Sequence, residues 1–419
     1  MSSNSQLVRL ESVLRFSNGK SSPSRDESGT VSVYGSNGLI GFAAETNSPE
    51  NTIVIGRVGS YCGSVHFSKT ACWVTDNAIK AIAKNDNDPF FLCYVLKHLN
   101  LNNWRSGSGQ PLLNQATLNA IEALIPPAAV QKTISSLLNA IDDRITLLRE
   151  TNSTLEAIAQ ALFKSWFVDF DPVRAKSEGK LPDGMDDATA ALFPDEFEET
   201  EFGMTPKGWT IKTLGEITER ITKGTTPTTL KRQFVASGVN FVKAESMTGD
   251  GGFFQNKFAY IDEETHQLLN RSQLKAGDIL ISIAGTIGRV AVMTSEFLPA
   301  NTNQAVAILR PISKIFPSEL LNRYLRLETT QRAMNEKVVQ AVQANLSLSI
   351  LSSLKLCIPP ENAIENLFNS GFAQIEKSWT SNDQRVRTLA NLRDTLLPRL
   401  ISGQLRIADA EAELEKVTA

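Results

Sequence analysis

QPLLNQATLNAIEALIPP runs from Gln110 to Pro127, and QANLSLSILSSLKLCIPP runs from Gln343 to Pro360. At a constant offset of 233 they share six of eighteen positions without a gap: Gln110/Gln343, Leu113/Leu346, Leu118/Leu351, Ile125/Ile358 and both prolines. An internal repeat of this kind means one architecture built twice. Upstream, Gly59-Ser-Tyr-Cys-Gly63 parallels Gly285-Thr-Ile-Gly288, each after an apolar, strand-like run, NTIVIGRV or ILISIAG. Leu10, Val13 and Gly19 parallel Leu214, Ile217 and Gly224. The offset grows from about 205 to 233 along the chain, so the second copy carries insertions. These include Lys231, Arg232, Lys243 and the turn-like run from Thr248 to Gly252.

A helical pattern follows each Ile-Pro-Pro. From Ala128 to Phe170 there is no Gly or Pro, and Val130, Ile134, Leu137, Ile141, Ile145, Leu148, Leu155, Ile158, Leu162 and Trp166 recur mostly at three and four. At 1.5 Å per residue this is a rod of ~65 Å, too long for the inside of one compact domain. The second segment carries Ile364, Phe368, Phe372, Ile375, Trp379, Val386, Leu389, Leu392, Leu396 and Leu400. Two single amphipathic helices most simply bury each other as an antiparallel coiled coil. The 4-then-4 spacing of Leu137, Ile141 and Ile145 predicts a stutter in its seam. Two independent helices capping two domains would leave most of each stripe exposed. Leu181 to Trp209 is rich in Asp, Glu, Pro and Gly and reads as a surface connection rather than core.

The expected fold class is therefore α+β, with two α/β domains related by the repeat (1–127 and 207–360). Helical spacers (128–176 and 361–419) and an acidic linker (177–206) complete the chain.

The 419 residues are 42% hydrophobic and 21% charged, which excludes a largely disordered chain. No apolar run approaches a membrane span, and MSSNSQLVRLESVL does not read as a secretory signal. Four cysteines without a C-x-x-C pair and three histidines lack the spacing of a structural zinc site. The thiols read as reduced, in a cytoplasm. A net charge of −3 hides a segregation: +1 over 1–127, −8 over 128–206, +6 over 207–360 and −2 over 361–419. Such a pattern can put a basic face on one domain of an acidic protein.

Motifs for chemistry are incomplete. Gly19-Lys20-Ser21 imitates the end of a phosphate loop, but Leu14 stands where the leading glycine belongs. Asn87-Asp88-Pro89-Phe90 imitates an amino-methyltransferase motif one proline short; Asp88 as N-cap and Pro89 at the first helical position account for it. No G-x-G-x-x-G turn, nucleophile elbow or acid-x-Lys nuclease set is present. What remains is polar and basic residues in glycine-bounded loops. The first copy offers Tyr34, Ser36, Asn37, Arg57, Ser60, Tyr61, Lys69, Arg105 and Gln110. The second offers Lys223, Thr225, Thr226, Lys231, Arg232, Lys243, Thr286, Arg289, Asn301, Asn303, Gln304, Gln343 and Asn345. Arg and Lys suit guanine edges and phosphates, Asn and Gln suit adenine, so all are DNA-binding candidates as an ensemble present twice.

LFKSWFVDFDP (Leu162 to Pro172), with VRAK and the acidic linker ending Pro206-Lys-Gly-Trp209, resembles specificity subunits of type I restriction-modification enzymes. Leu396-Leu-Pro-Arg-Leu-Ile-Ser-Gly-Gln-Leu405 resembles their C-terminal end, and Tyr34-Gly-Ser-Asn-Gly38 with Gly59 to Gly63 resembles one type of their target recognition domains. The resemblance spans essentially the whole chain. It implies a non-catalytic subunit whose two recognition domains each read half of a bipartite site on double-stranded DNA. It also implies two modification subunits docked on the rods, with Phe163, Trp166, Phe167 and Trp379 as candidate partner-binding residues. No cofactor would be bound by this chain. S-adenosylmethionine would serve adenine-N6 methylation by the modification subunits, and ATP and Mg2+ would serve restriction/translocase subunits. The second rod lacks a copy of LFKSWFVDFDP, so the pseudo-symmetry is imperfect. An autonomous methyltransferase or nuclease, or a coiled-coil scaffold that does not read bases, are the alternatives.

Overall fold

A computed structural model of the chain describes residues 5–26, 28–106, 111–249, 251–339 and 345–418. Contacts divide the chain into two compact units, Met1–Thr151 with Ser381–Ala419, and Asn152–Thr380.

The first unit opens with β1 (Gln6–Arg9), the one-turn α1 (Leu10–Val13) and β2 (Leu14–Asn18). There follow β3 (Val31–Gly35), β4 (Gly38–Ala43), β5 (Thr52–Gly56), β6 (Val65–Ser68), β7 (Trp73–Val74) and β8 (Ala78–Ala83). Then come α2 (Pro89–His98), α3 (Gln115–Ala120) and β9 (Glu122–Ile125). They form an antiparallel sheet in the order β2-β8-β5-β6, a smaller sheet β4-β3-β7, and a ribbon of β1 with β9. Thr52-Ile-Val-Ile-Gly56 is buried along its whole length because β5 is flanked by both β6 and β8. A continuous β-branched run suits such a strand better than an alternating one. Asp88 caps α2 by accepting the Phe91 N–H at 2.7 Å, with Pro89 in the first turn, as the sequence predicts. Burial pushes the Cys93 thiol on this helix up to about 11, so it is a packed apolar residue.

Downstream, α4 (Ala128–Phe167) leads to α5 (Asp171–Ser177), α6 (Asp187–Ala190) and a hairpin of β10 (Phe197–Thr200) with β11 (Gly203–Pro206). The second copy comprises β12 (Thr210–Thr213), β13 (Thr218–Lys223), β14 (Val239–Val242), β15 (Ala259–Ile261), α7 (Glu263–Leu268), β16 (Ile279–Ser282), β17 (Val290–Val292), β18 (Ala300–Thr302) and β19 (Val306–Pro311). It ends with α8 (Ser318–Arg326), α9 (Glu328–Val339), α10 (Leu348–Ser353) and β20 (Lys355–Ile358). Its sheets are β13-β19-β16-β17, β15-β14-β18 and β12-β20, the same topology as the first copy. In both small sheets one pair is parallel, β3 with β7 and β14 with β18.

The match extends to single hydrogen bonds. Leu113 N–H donates to the Arg57 carbonyl at 2.9 Å, and Leu346 N–H to that of Ile283 at 3.0 Å. Gly19 and Gly224 both lie so close to a neighbouring carbonyl, of Thr75 or Thr302, that a Cβ would stand 2.0 Å from it. Only glycine allows that approach. α7 and α9 are insertions of the second copy.

The chain closes with α11 (Glu361–Gly371), α12 (Ala373–Ile401) and α13 (Ile407–Thr418). In the first unit, Ile134, Leu138, Ile141 and Ile145 of α4 are buried in one cluster with Val386, Leu389, Leu396 and Leu400 of α12. Asp142 pairs with Arg393 at 2.6 Å, while in the second unit Asn152 donates to the Trp379 carbonyl at 3.0 Å. Further along α4 in that second unit, Glu156 meets Glu376 of α12 on Arg323, so the partner's number falls as α4 advances and the helices run antiparallel.

Three expectations need correction. The first rod ends at Phe167, not Phe170, which takes a left-handed φ of +56° ahead of the new helix opened by Asp171-Pro172. The second rod is not one helix but α11 and α12, divided at Phe372. Gly371 there abuts Trp166, whose ring a Cβ would meet at 2.7 Å. The acidic linker is not merely a surface connection: Phe193 is 2% exposed and packs edge-on to Trp166 at 5.2 Å. Its charge pattern marks the faces in solvent and conceals the apolar Leu192-Phe193 that anchors it.

Candidate nucleic-acid interface

In the first copy β3 and β4 meet in the turn that carries Ser36 and Asn37. Gly38, at φ +88°, lies on the His66 imidazole, which a Cβ would meet at 2.8 Å. The Ser64 hydroxyl donates to the Ser36 carbonyl, and the Ser36 hydroxyl donates to the Asn77 carbonyl. His66 Nε2 lies 3.2 Å from Ser64 Oγ. Burial, assisted by the Lys97 charge, holds His66 below its ordinary pKa, so the ring is a neutral post for this turn. A second turn, Gly59 to Gly63, follows β5, with φ +74° and +87° at its two glycines. The Arg57 guanidinium reaches the Asp76 carbonyl at 3.4 Å.

These bonds fasten three connections (35–38, 57–64 and 76–77) into one assembly, which brings together Tyr34, Ser36, Asn37, Arg57, Ser60 and Tyr61. Asn37, Ser60 and Tyr61 are exposed, Tyr61 at 53%. Such a rigid cluster of donors and one exposed aromatic ring is fit to meet base edges and phosphates. Arg105 is exposed, and Gln110 lies outside the described residues. Lys69 does not belong: it follows the opposite end of β6 and sits 3.7 Å from Asp143 of α4.

The second copy repeats the glycine turn with different side chains. Gly285 and Gly288 take φ +75° and +90° around the exposed Thr286. Thr225 N–H donates to the Thr302 carbonyl at 3.0 Å, the Thr226 hydroxyl donates to Gln304, and the Asn303 side chain accepts the Ala305 N–H at 3.2 Å. Thr225, Thr226, Asn303 and Gln304 are thus gathered, with Lys223 exposed at the end of β13. Lys231 is exposed on a left-handed turn at φ +56°. Asn345 is also exposed, and Gln343 lies outside the described residues.

Other basic candidates are already engaged. Arg232 forms a two-pronged pair with Glu264, Lys243 lies 4.9 Å over the Phe234 ring, and Arg289 donates to the Met247 carbonyl at 2.7 Å. Asn301 is a correction: it is fully buried, donates to the Leu269 carbonyl and Ser272 Oγ at 3.1 Å each, and meets His266. It is a core residue that holds α7 to β18, out of reach of a base.

The aromatic partner-binding candidates are also corrected. Phe163, Trp166 and Phe167 are 1%, 5% and 5% exposed and form a knot with Phe193, Trp209, Phe316 and Phe372. Their spacing in LFKSWFVDFDP serves packing inside the unit. Trp379 is half-buried. Ser64, His66 and Asn77, which hold the Ser36–Asn37 turn, were not singled out in the sequence; only the paired glycines around them were a signal.

Two long matches to one family accompany this duplicated geometry. The model of the family described as type I restriction modification DNA specificity domain matches residues 2–157 and 206–378, each range containing one copy. The chain belongs to that family. Its role is therefore recognition of DNA sequence, a non-catalytic one. The type I restriction enzyme HindI specificity subunit of Haemophilus influenzae is 29% identical over 344 residues, covering 70% of this chain and 71% of the relative. The type I restriction enzyme MjaIX specificity subunit of Methanocaldococcus jannaschii is 24% identical, covering 86% and 79%. The crystal structure of the type I restriction-modification S subunit from M. genitalium shares the fold, with a TM-score of 0.52 at 16% identity over 95% of this chain and 96% of that one. Among the described residues no helix is long and apolar enough to cross a membrane.

Proposed function

We propose that each copy is a target recognition domain reading one half of a bipartite DNA site, and that the chain directs adenine-N6 methylation and restriction by subunits bound to it. Two modification subunits would supply S-adenosylmethionine chemistry, and restriction subunits would use ATP and Mg2+. The observation that carries the reading is the glycine turn repeated in both copies, Gly59 to Gly63 after β5 and Gly285 to Gly288 after β16, with the side chains between the glycines changed. Ser60 and Tyr61 lie between the two glycines in one copy where Thr286 and Ile287 lie in the other. Identical scaffolds with unlike loops favour two half-sites of unlike sequence. Co-expression with the modification subunit, followed by sequencing of the methylated bases, tests this. Two separated, non-identical clusters of specified bases are expected. A single contiguous site, or methylation without sequence preference, would refute it.

A further inference from the structure

The two recognition domains rest on the spacer helices through equivalent helices, and each buries one polar side chain there. α2 and α8 follow corresponding strands, β8 and β19, and superpose by sequence with Leu96 and Leu325 both fully buried. Two positions before those core residues, in the same register, stand Tyr94 and Arg323, 4% and 3% exposed. In the first unit the Tyr94 hydroxyl donates to Asp142 of α4, whose other oxygen takes a 2.6 Å bond from Arg393 of α12. In the second unit Arg323 donates to Glu156 of α4 at 2.8 Å and also to Glu376 of α12, while Arg326 reaches Glu156 at 2.6 Å.

The two seats share a carboxylate on α4, Asp142 or Glu156, two heptads apart along the helix. They differ in sign on α12, where Arg393 stands in one and Glu376 in the other. A neutral phenol completes the first seat, since Arg393 already compensates Asp142. A guanidinium is needed in the second, since both seat residues are carboxylates. The wrong key in either seat leaves partly buried charge poorly compensated: Arg323 would bring a second guanidinium against Arg393, and Tyr94 would leave Glu376 without its arginine, since Arg326 reaches Glu156. Unpaired buried charge is far costlier than a lost neutral hydrogen bond.

We propose that Tyr94 and Arg323 are keys that match each recognition domain to its own seat on the spacer helices, so that the two seats are not interchangeable. They are positioning residues, which act on DNA reading only through the orientation of the domain that carries them. The proposal rests on the reading of the two copies as separate recognition domains.

The test exchanges keys and seats in the full chain. Tyr94→Arg puts a guanidinium beside Arg393, and Arg393→Glu puts a carboxylate beside Asp142. Each alone should lower the thermal midpoint by roughly 5 to 10 °C. The double variant rebuilds the chemistry of the second seat in the first and should recover at least half of that loss, a positive coupling. Tyr94→Phe, which leaves Asp142 paired with Arg393, should be much milder than Tyr94→Arg. The reciprocal pair, Arg323→Tyr with Glu376→Arg, should behave alike. With the modification subunit present, the double variants should methylate the wild-type site while the Tyr94→Arg single loses the half-site of the first domain.

A double variant no more stable than its singles, or Tyr94→Arg no worse than Tyr94→Phe, would overturn the proposal. If a single variant does not fold, recovery of folding in the double is the deciding result. Thermal coupling needs no DNA, so a wild-type methylation map that is not bipartite would sink the functional reading and leave the key test standing.

Discussion

Asn301 and Lys231 stand in the same recognition domain as polar residues that sequence treats alike, yet different physics governs them. The Asn301 amide satisfies a backbone carbonyl, Ser272 and His266 where no water reaches. Asn301→Ala strands these groups and should cost about 1–3 kcal/mol of stability, read as a lower thermal midpoint. Lys231 projects into solvent from its turn, so Lys231→Ala should change stability by less than about 0.5 kcal/mol. If it contacts a phosphate, the slope of log affinity against log salt should become shallower by about 0.9 in the assembled complex. Equal midpoint losses for both variants would show that the distinction drawn from burial is wrong. The glycines were readable at this scale, since Gly59 and Gly285 share a left-handed φ that their side-chain-less backbone permits. Asn301 was not, because an asparagine's hydrogen-bonding capacity is the same whether it faces a base or a buried histidine.

Among the elements, the helix end at Phe167 shows what a motif can be for. Trp166 touches Phe193 from the linker, at 5.2 Å, and Phe372 between α11 and α12, at 5.6 Å, so three stretches distant in sequence converge on one indole. Gly371 leaves the room for it. Trp166→Ala should cost about 3–5 kcal/mol, since the ring is buried and several neighbours lose contact at once. Limited proteolysis is a second readout: cleavage within 177–206 should accelerate because the linker loses its anchor at Phe193. An unchanged midpoint and unchanged cleavage would mean that the knot is dispensable. The apolar spacing of α4 was legible because burial on one side of a helix imposes a period near 3.6. The division of the second rod was not, because it depends on an indole arriving from another helix.

Across the whole molecule, α4 and α12 are the only described helices whose residues fall in both units, with the divisions at Thr151/Asn152 and Thr380/Ser381. A four-residue insertion at each division keeps Asp142 with Arg393 and Asn152 with Trp379. It adds ~6 Å to each helix and turns the stripe by about 40°. At ~3.4 Å per base pair, the half-sites should move apart by roughly one to two base pairs, with their sequences unchanged. Methylation mapping checks this. Altered base preferences at the old spacing would show that the helices do not set the distance.

The sequence by itself determined the duplication, the paired-glycine turns and the antiparallel helices. Each of these rests on local rules: backbone freedom at glycine, side-chain period, and the need of one apolar stripe for another. Tertiary structure alone decided which polar residues face solvent and which satisfy buried partners, as at Asn301, Tyr94 and Arg323. It also decided that LFKSWFVDFDP turns inward. Burial is a property of what packs against a residue, and those neighbours come from other chain segments, 29 residues away for Asn301 and Ser272 and 251 for Asp142 and Arg393.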